Sequence, residues 1–137
     1  MNDFFSENLA ELPEFILFFV VAAFLVIVFI GVYSMVTRHK EFELIKNNST
    51  AAAIAFSGSV IGFTLPLSSA MIHSVTVYEM ILWGIIALGV QIIVYLLVRL
   101  PMPRISERIT DNEVAAGIWL GAASLVGGIL NAASMTT

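Results

Sequence analysis

Four apolar stretches, each long enough to cross a bilayer, divide this chain, and all six basic residues fall in two of the connections around them. A spanning helix needs about 20 mostly apolar residues, because the hydrocarbon core is about 30 Å thick and each helical residue rises about 1.5 Å. The windows run from about Glu14 to Val36, Thr50 to Ile72, Val77 to Leu100 and Glu113 to Met135. They occupy roughly 90 residues, which leaves no length for a soluble catalytic domain. Composition points the same way: 59% of residues are hydrophobic and 12% charged, against about 45–50% and about 25% in soluble domains. The chain reads as an all-α membrane protein with four transmembrane helices.

The charges orient it. Arg38, Lys40 and Lys46 lie between spans one and two; Arg99, Arg104 and Arg108 lie at or beyond the end of span three. The positive-inside rule places both basic loops in the cytoplasm and both termini outside. Residues 1–13 are expected to be an extracytoplasmic segment. They open with Asp3, Glu7 and Glu11 rather than a basic leader and carry no small-residue cleavage site. With Phe5, Leu9 and Leu12 on one face and the three acids on another, they suit a short interfacial helix. Pro13 then starts the first span. Thr76 with Glu79, and Thr110 with Glu113, have the spacing of capping boxes.

Several function classes are excluded or disfavoured. The net charge of −4 offers no basic surface for nucleic acid. The absence of Cys removes thiolate chemistry and Cys-ligated zinc. His39 and His73 belong at opposite membrane faces, so no shared metal site is expected. There is no phosphate loop, Ser-His-Asp order or H-E-x-x-H helix. No carboxylate sits deep in a span, where a proton-coupled pump would need one. No enzyme activity, cofactor or metal is expected.

Shifting the chain by 64 positions superimposes its halves: Ile45 on Ile109, Asn48 on Asn112, Ala51-Ala52 on Ala115-Ala116, Ile54 on Ile118, Met71 on Met135, Lys40 on Arg104 and Glu43 on Glu107. This reads as two copies of a helix pair, residues 14–73 and 77–137. A two-span unit returns the chain to its starting side, so the copies are parallel.

The spans differ in character. One and three are rich in Leu, Ile, Val and Phe; two and four carry small residues. Small residues mark helix contacts in lipid, where close packing replaces the hydrophobic effect. Spans two and four are therefore expected to form the interior, with one and three toward lipid. Gly117, Gly121, Ser124, Gly128 and Asn131 recur at steps of four and three, which makes one stripe. Ala51, Ala55, Gly58 and Gly62 make another. Such stripes can mate within one chain, between chains, or line a path.

A few polar residues stand out. Pro66 cannot donate to the carbonyl of Gly62, which is freed. Ser57, Thr64, Ser68 and Ser69 either bond to helix carbonyls or line a wet cavity. Gln91, the deep amide of span three, should turn inward. Asn131 serves as an interhelical hydrogen bonder or as a polar ligand near the outer mouth. Glu79 is read as a helix cap.

The segments Asn47-Asn48-Ser49-Thr50-Ala51-Ala52, Ala55-Phe56-Ser57-Gly58 and Pro66-Leu67-Ser68-Ser69 resemble the first signature of the YjfL-like proteins, a domain of unknown function numbered three-fifty. Asn112, Ala115-Ala116-Gly117, Gly121 and Gly127-Gly128-Ile129-Leu130-Asn131-Ala132-Ala133 resemble the second. Ser134 departs from the signature, which favours Cys there. The resemblance covers nearly the whole chain. It implies a bacterial inner-membrane location and company with envelope-stress proteins of the phage-shock type, and it brings no catalytic residues.

Two functional expectations follow. In one, a non-enzymatic membrane component oligomerises through its small-residue faces and docks a cytoplasmic protein on the loops bearing Arg38, Lys40, Lys46, Arg104 and Arg108, whose charges alternate in sign. In the other, spans two and four line a small channel or solute facilitator that only an oligomer completes, since four helices alone pack too tightly for water.

Overall fold

The computed structural model describes residues 2–135, the first three by backbone alone. Among these the regular structure is all helical, with α1 at Asn2–Val36, α2 at Glu41–Lys46, α3 at Thr50–His73, α4 at Val77–Val98, α5 at Ile105–Thr110 and α6 at Val114–Ser134. The helices α1, α3, α4 and α6 are each long and apolar enough to cross a membrane. Two six-residue helices, α2 and α5, sit in the basic connections.

From the short helices onward, the second half follows the first at the 64-residue interval: α5 after α2, and α6 after α3. The turns between them match as well. Asn48 and Asn112 both adopt left-handed backbone, with φ of 67° and 58°. Asparagine tolerates that region better than most residues because its short side chain can bond locally. Around each asparagine the hydrogen bonds are the same. Asn48 and Ser49 donate to Ile45 and Leu44, and Asn112 and Glu113 donate to Ile109 and Arg108, all at 2.9 Å. That is a Schellman motif, which ends the short helix and sends the chain straight into the next span.

Two local expectations change. First, α1 runs without a break through Pro13, so the N-terminal segment extends the first span instead of forming a separate helix. Proline removes one intrahelical hydrogen bond, yet the helix continues, with the side chains of Phe5, Leu9 and Leu12 exposed along it. The side chain of Asp3 lies outside the described residues. Second, Thr110 is not a cap. It belongs to α5 and bonds to the carbonyl of Ser106, while Glu113 occupies the N-cap of α6 without a capping side chain. At α4 the cap forms, Thr76 accepting from the amide of Glu79. The carboxylate of Glu79 reaches back to the amide of Val75, one residue beyond the usual box.

The bundle is built on α3, whose apolar window is 56% buried against 17% for α1, 28% for α4 and 33% for α6. α6 lies along α3, α4 packs on both, and α1 packs on α3 and α4. The expected division into inner and outer spans therefore needs correction. α6 is scarcely more enclosed than α4, because only its small-residue edge is covered. α4 contributes its own inward stripe of Met80, Gly84, Ala87, Gln91, Tyr95 and Val98. On α1, Phe29 is buried and stacks on Phe63 of α3 with ring centroids 4.5 Å apart.

Along the α3–α6 seam the backbones touch. A β-carbon on Gly58 would lie 2.5 Å from the carbonyl oxygen of Gly121, and one on Gly121 would lie 2.9 Å from that of Ile54. β-Carbons on Gly62, Gly117 and Gly128 would overlap the carbonyl oxygens of Ser124, Ala51 and Gly62 respectively. The partners advance together along both helices, so α3 and α6 run parallel. Carbonyl oxygens set against glycine α-carbons are the geometry of weak C–H···O contacts. The Gly62 carbonyl, released by Pro66, is one of these oxygens. Ala51, Gly58 and Gly62 on one helix and Gly117, Gly121, Ser124 and Gly128 on the other are thus mated within one chain. Gly58 and Gly121 also border an open groove on the outer side of the seam.

Candidate functional site

Glu41 has no business being dry on sequence grounds, yet it is 1% exposed. It opens α2, and the chain leaving α1 folds over it. Thr37 donates a hydrogen bond to its Oε1, and the same oxygen lies 3.4 Å from Nε2 of His39. On the far side of the ring, Nδ1 of His39 meets the hydroxyl of Ser106 in α5 at 3.1 Å. Ser106 in turn lies 2.6 Å from the phenol oxygen of Tyr95 in α4. The cluster therefore ties both short helices to the ends of two spans.

Burial sets its protonation. It raises the carboxyl of Glu41 above the ordinary value, an effect partly offset by the hydrogen bond from Thr37. It also lowers His39 from 6.5 to about 4. Both groups are driven toward their neutral forms, because a low-dielectric site penalises charge of either sign. With both groups neutral, Nδ1 of His39 pairs with the Ser106 hydroxyl and Oε1 of Glu41 accepts from Thr37, while Oε2 of Glu41 is enclosed without a hydrogen-bond partner among the described residues. A neutral chain of this kind costs far less to bury than an isolated carboxylate.

A second polar group lies deeper. The hydroxyl of Ser59 donates to the phenol of Tyr33 at 2.9 Å and lies 3.2 Å from that of Ser124. Gln91 is fully buried and donates through Nε2 to the Ser124 carbonyl at 3.1 Å. The rings of Tyr33 and Tyr95 meet edge to face at 6.1 Å, linking the two groups.

The remaining singled-out residues fall elsewhere. Ser57, Thr64 and Ser68 are exposed. Ser57 borders an open groove between α3 and α6, and Thr64 and Ser68 border one between α1 and α3; Thr64 bonds to the Val60 carbonyl in its own helix. Ser69 is buried and reaches the Ala132 carbonyl at 3.4 Å. Asn131 is half-buried, and its amide nitrogen is enclosed without a hydrogen-bond partner among the described residues. His73 bonds back to the Ser69 carbonyl. Lys46 is exposed, Lys40 lies 3.8 Å from Glu43, Arg104 lies 2.8 Å from Glu107, and Arg108 lies 3.2 Å from Glu113. Among the described residues no three metal-ligating side chains converge.

The sequence pattern does not single out Tyr33, Tyr95, Ser59 or Ser106, and Glu41 belongs to a loop whose charges alternate in sign. One signal was present: a tyrosine within an apolar span must find a partner for its hydroxyl, and both tyrosines did. A cross-repeat link was equally hidden. The side chain of Asn112 accepts from the amide of Ala51 at 3.0 Å, so the second half helps cap the α3 helix of the first. Ser49 supplies the other cap, accepting from Ala52.

Four long apolar helices with a polar cluster beneath two short ones define a small, all-helical, multi-pass membrane protein. The chain belongs to the family described as Domain of Unknown Function (DUF350), whose model matches residues 7–135. It is 48% identical over 128 residues to the inner membrane protein YjfL of Escherichia coli K12, covering 93% of this chain and 97% of the relative; YjfL of the O157:H7 strain matches equally. The transmembrane protein YshE of Bacillus subtilis is 29% identical over 119 residues, 85% of this chain and 87% of the relative. No solved structure matches.

Proposed function

We propose that this protein is a non-enzymatic component of the bacterial inner membrane that acts through the end of the bundle formed by α2 and α5. The observation that carries this reading is the contrast along the membrane normal. The interior is closed by the α3–α6 seam, while the basic side chains collect around the two short helices. On the orientation favoured by its loop charges, that end faces the cytoplasm and both termini face outward. The exposed, alternating charges of Lys40, Glu43, Arg104 and Glu107 then present a surface suited to a cytoplasmic protein, in the envelope-stress setting that the family resemblance implies.

The small-residue faces support folding of one chain in preference to assembly of several, so an oligomer would need other surfaces. The close backbone contact of α3 and α6 argues against a path running between those two helices. Purified protein reconstituted in liposomes tests the reading. Flat ion and solute flux, together with a cytoplasmic protein that co-purifies and is lost on reversing Lys40 and Arg104, is expected. Flux abolished by Ser57→Leu or Asn131→Leu would overturn it.

A further inference from the structure

We infer that the cavity at the basic end binds the singly charged phosphodiester headgroup of a membrane phospholipid. The cavity, of about 410 Å³, brings together Arg38, Arg99, Arg104, Ser106, Glu107 and Asp111. Arg104 is already paired with Glu107 at 2.8 Å. Arg38 and Arg99 have no carboxylate partner among the ion pairs of the described residues. Both are anchored on one buried residue. The guanidinium of Arg99 stands over the ring of Tyr95 at 6.0 Å from its centroid, and the backbone amide of Arg38 donates to the Tyr95 hydroxyl at 3.4 Å. A guanidinium stacked on an aromatic face keeps its N–H fork free for an oxyanion.

Depth and charge specify the ligand. α1 ends at Val36 and α4 at Val98, so the two arginines emerge just past the spans, where phosphates of the bilayer lie. Exposed Leu96 and Leu97 near the end of α4, and Leu100 just past it, offer surface for acyl chains. With Glu107 neutralised, two guanidiniums face the single carboxylate of Asp111. That leaves one net positive charge, which matches a phosphodiester and disfavours a dianionic phosphomonoester. Ser106 adds a hydroxyl at the base, where it also contacts Tyr95.

Native mass spectrometry of the full-length protein, released from detergent after exposure to phosphatidylglycerol, tests the assignment. Arg38→Gln combined with Arg99→Gln should weaken phospholipid retention about tenfold. Lys40→Gln with Lys46→Gln removes the same charge outside the cavity and should leave retention within about twofold. Equal losses in the two double variants, or none in either, would overturn the proposal. Should the glutamine pair fail to keep its helical circular dichroism, Arg38→Lys with Arg99→Lys keeps the charge and loses the fork, and a several-fold loss is expected from it; unchanged retention would count against the site. Inorganic phosphate is the second probe. Failure to displace the lipid supports a headgroup site, whereas displacement would assign the cavity to a soluble phosphate and overturn the lipid. Phosphatidic acid binding more tightly than phosphatidylglycerol would likewise contradict the charge argument.

Discussion

The α3–α6 seam and the polar cluster under α2 and α5 hold the same two halves of the molecule together by opposite means. At the seam, side chains are absent: glycine and alanine let backbones meet, and stability comes from many shallow contacts. At the cluster, side chains do everything, and burial of Glu41 and His39 rests on a few hydrogen bonds and on both groups staying neutral. The seam should therefore be sensitive to volume and indifferent to pH. The cluster should be the reverse.

The largest expected effect belongs to the cluster. In the folded protein His39 titrates at about 4, whereas in the unfolded chain it titrates near 6.5. As pH falls from 6.5 toward 4, the unfolded chain takes up a proton that the folded one refuses. Stability is thus fullest above 6.5 and declines by about 3 kcal/mol across that window. Glu41 acts in the opposite sense, because its raised pKa favours the folded protein as pH falls toward the unfolded carboxyl value. Glu41→Gln removes that opposition, so thermal unfolding of this variant in detergent should show the full decline. Adding His39→Gln should flatten it. A pH-independent midpoint in Glu41→Gln would refute the buried neutral histidine.

Next in size is the seam. Gly128→Ala places a methyl group against the Gly62 carbonyl, a backbone atom that cannot swing away, and should cost about 2 kcal/mol as overpacking. The loss should be equal at pH 5 and pH 8. A midpoint within error of the parent would mean that the helices lie further apart than described here.

A smaller effect separates the matched asparagines. Asn48→Ala and Asn112→Ala both place alanine in left-handed backbone. Only Asn112 also accepts from the Ala51 amide across the repeat, so its replacement should cost about 1 kcal/mol more, the usual worth of a helix cap. Equal losses would remove the cross-repeat cap. Smallest of all is Gly89→Ala, where a β-carbon meets nothing within 4 Å. With no clash to offset it, the gain in helix propensity should raise stability by roughly 0.5–1 kcal/mol, read from the unfolding midpoint.

The comparison also explains which parts of the molecule could be read in advance. The stripes of Gly58, Gly62, Gly117, Gly121 and Gly128 were legible because helical periodicity alone assigns them to faces. Whether those faces meet each other or a second chain depends on the bundle's closure, which periodicity does not contain. The Ile-x-x-Asn spacing at residues 45–48 and 109–112 was visible as a repeat. Its physical cause, a left-handed residue closing a one-turn helix, emerged only with the backbone. Glu41 was illegible for another reason. A carboxylate in a loop of alternating charge is normally solvated, and what encloses this one is Thr37 and His39 from its own loop, with His39 in turn held by Ser106 of the other half. Thr110 misled because Thr-x-x-Glu is a local pattern, and the longer-range turn at Asn112 overrode it.

Closure of the seam within one chain is most directly tested by crosslinking, since the chain has no native cysteine. The hydroxyls of Ser59 and Ser124 lie 3.2 Å apart, within disulfide reach once both are replaced by cysteine. Oxidising Ser59→Cys/Ser124→Cys in native membranes should give an internally bridged single chain, and mixing the two single variants should give no bridged pair. Bridged dimers from the mixed single variants, with no internal bridge in the double variant, would show that α3 meets α6 of another molecule and contradict the account.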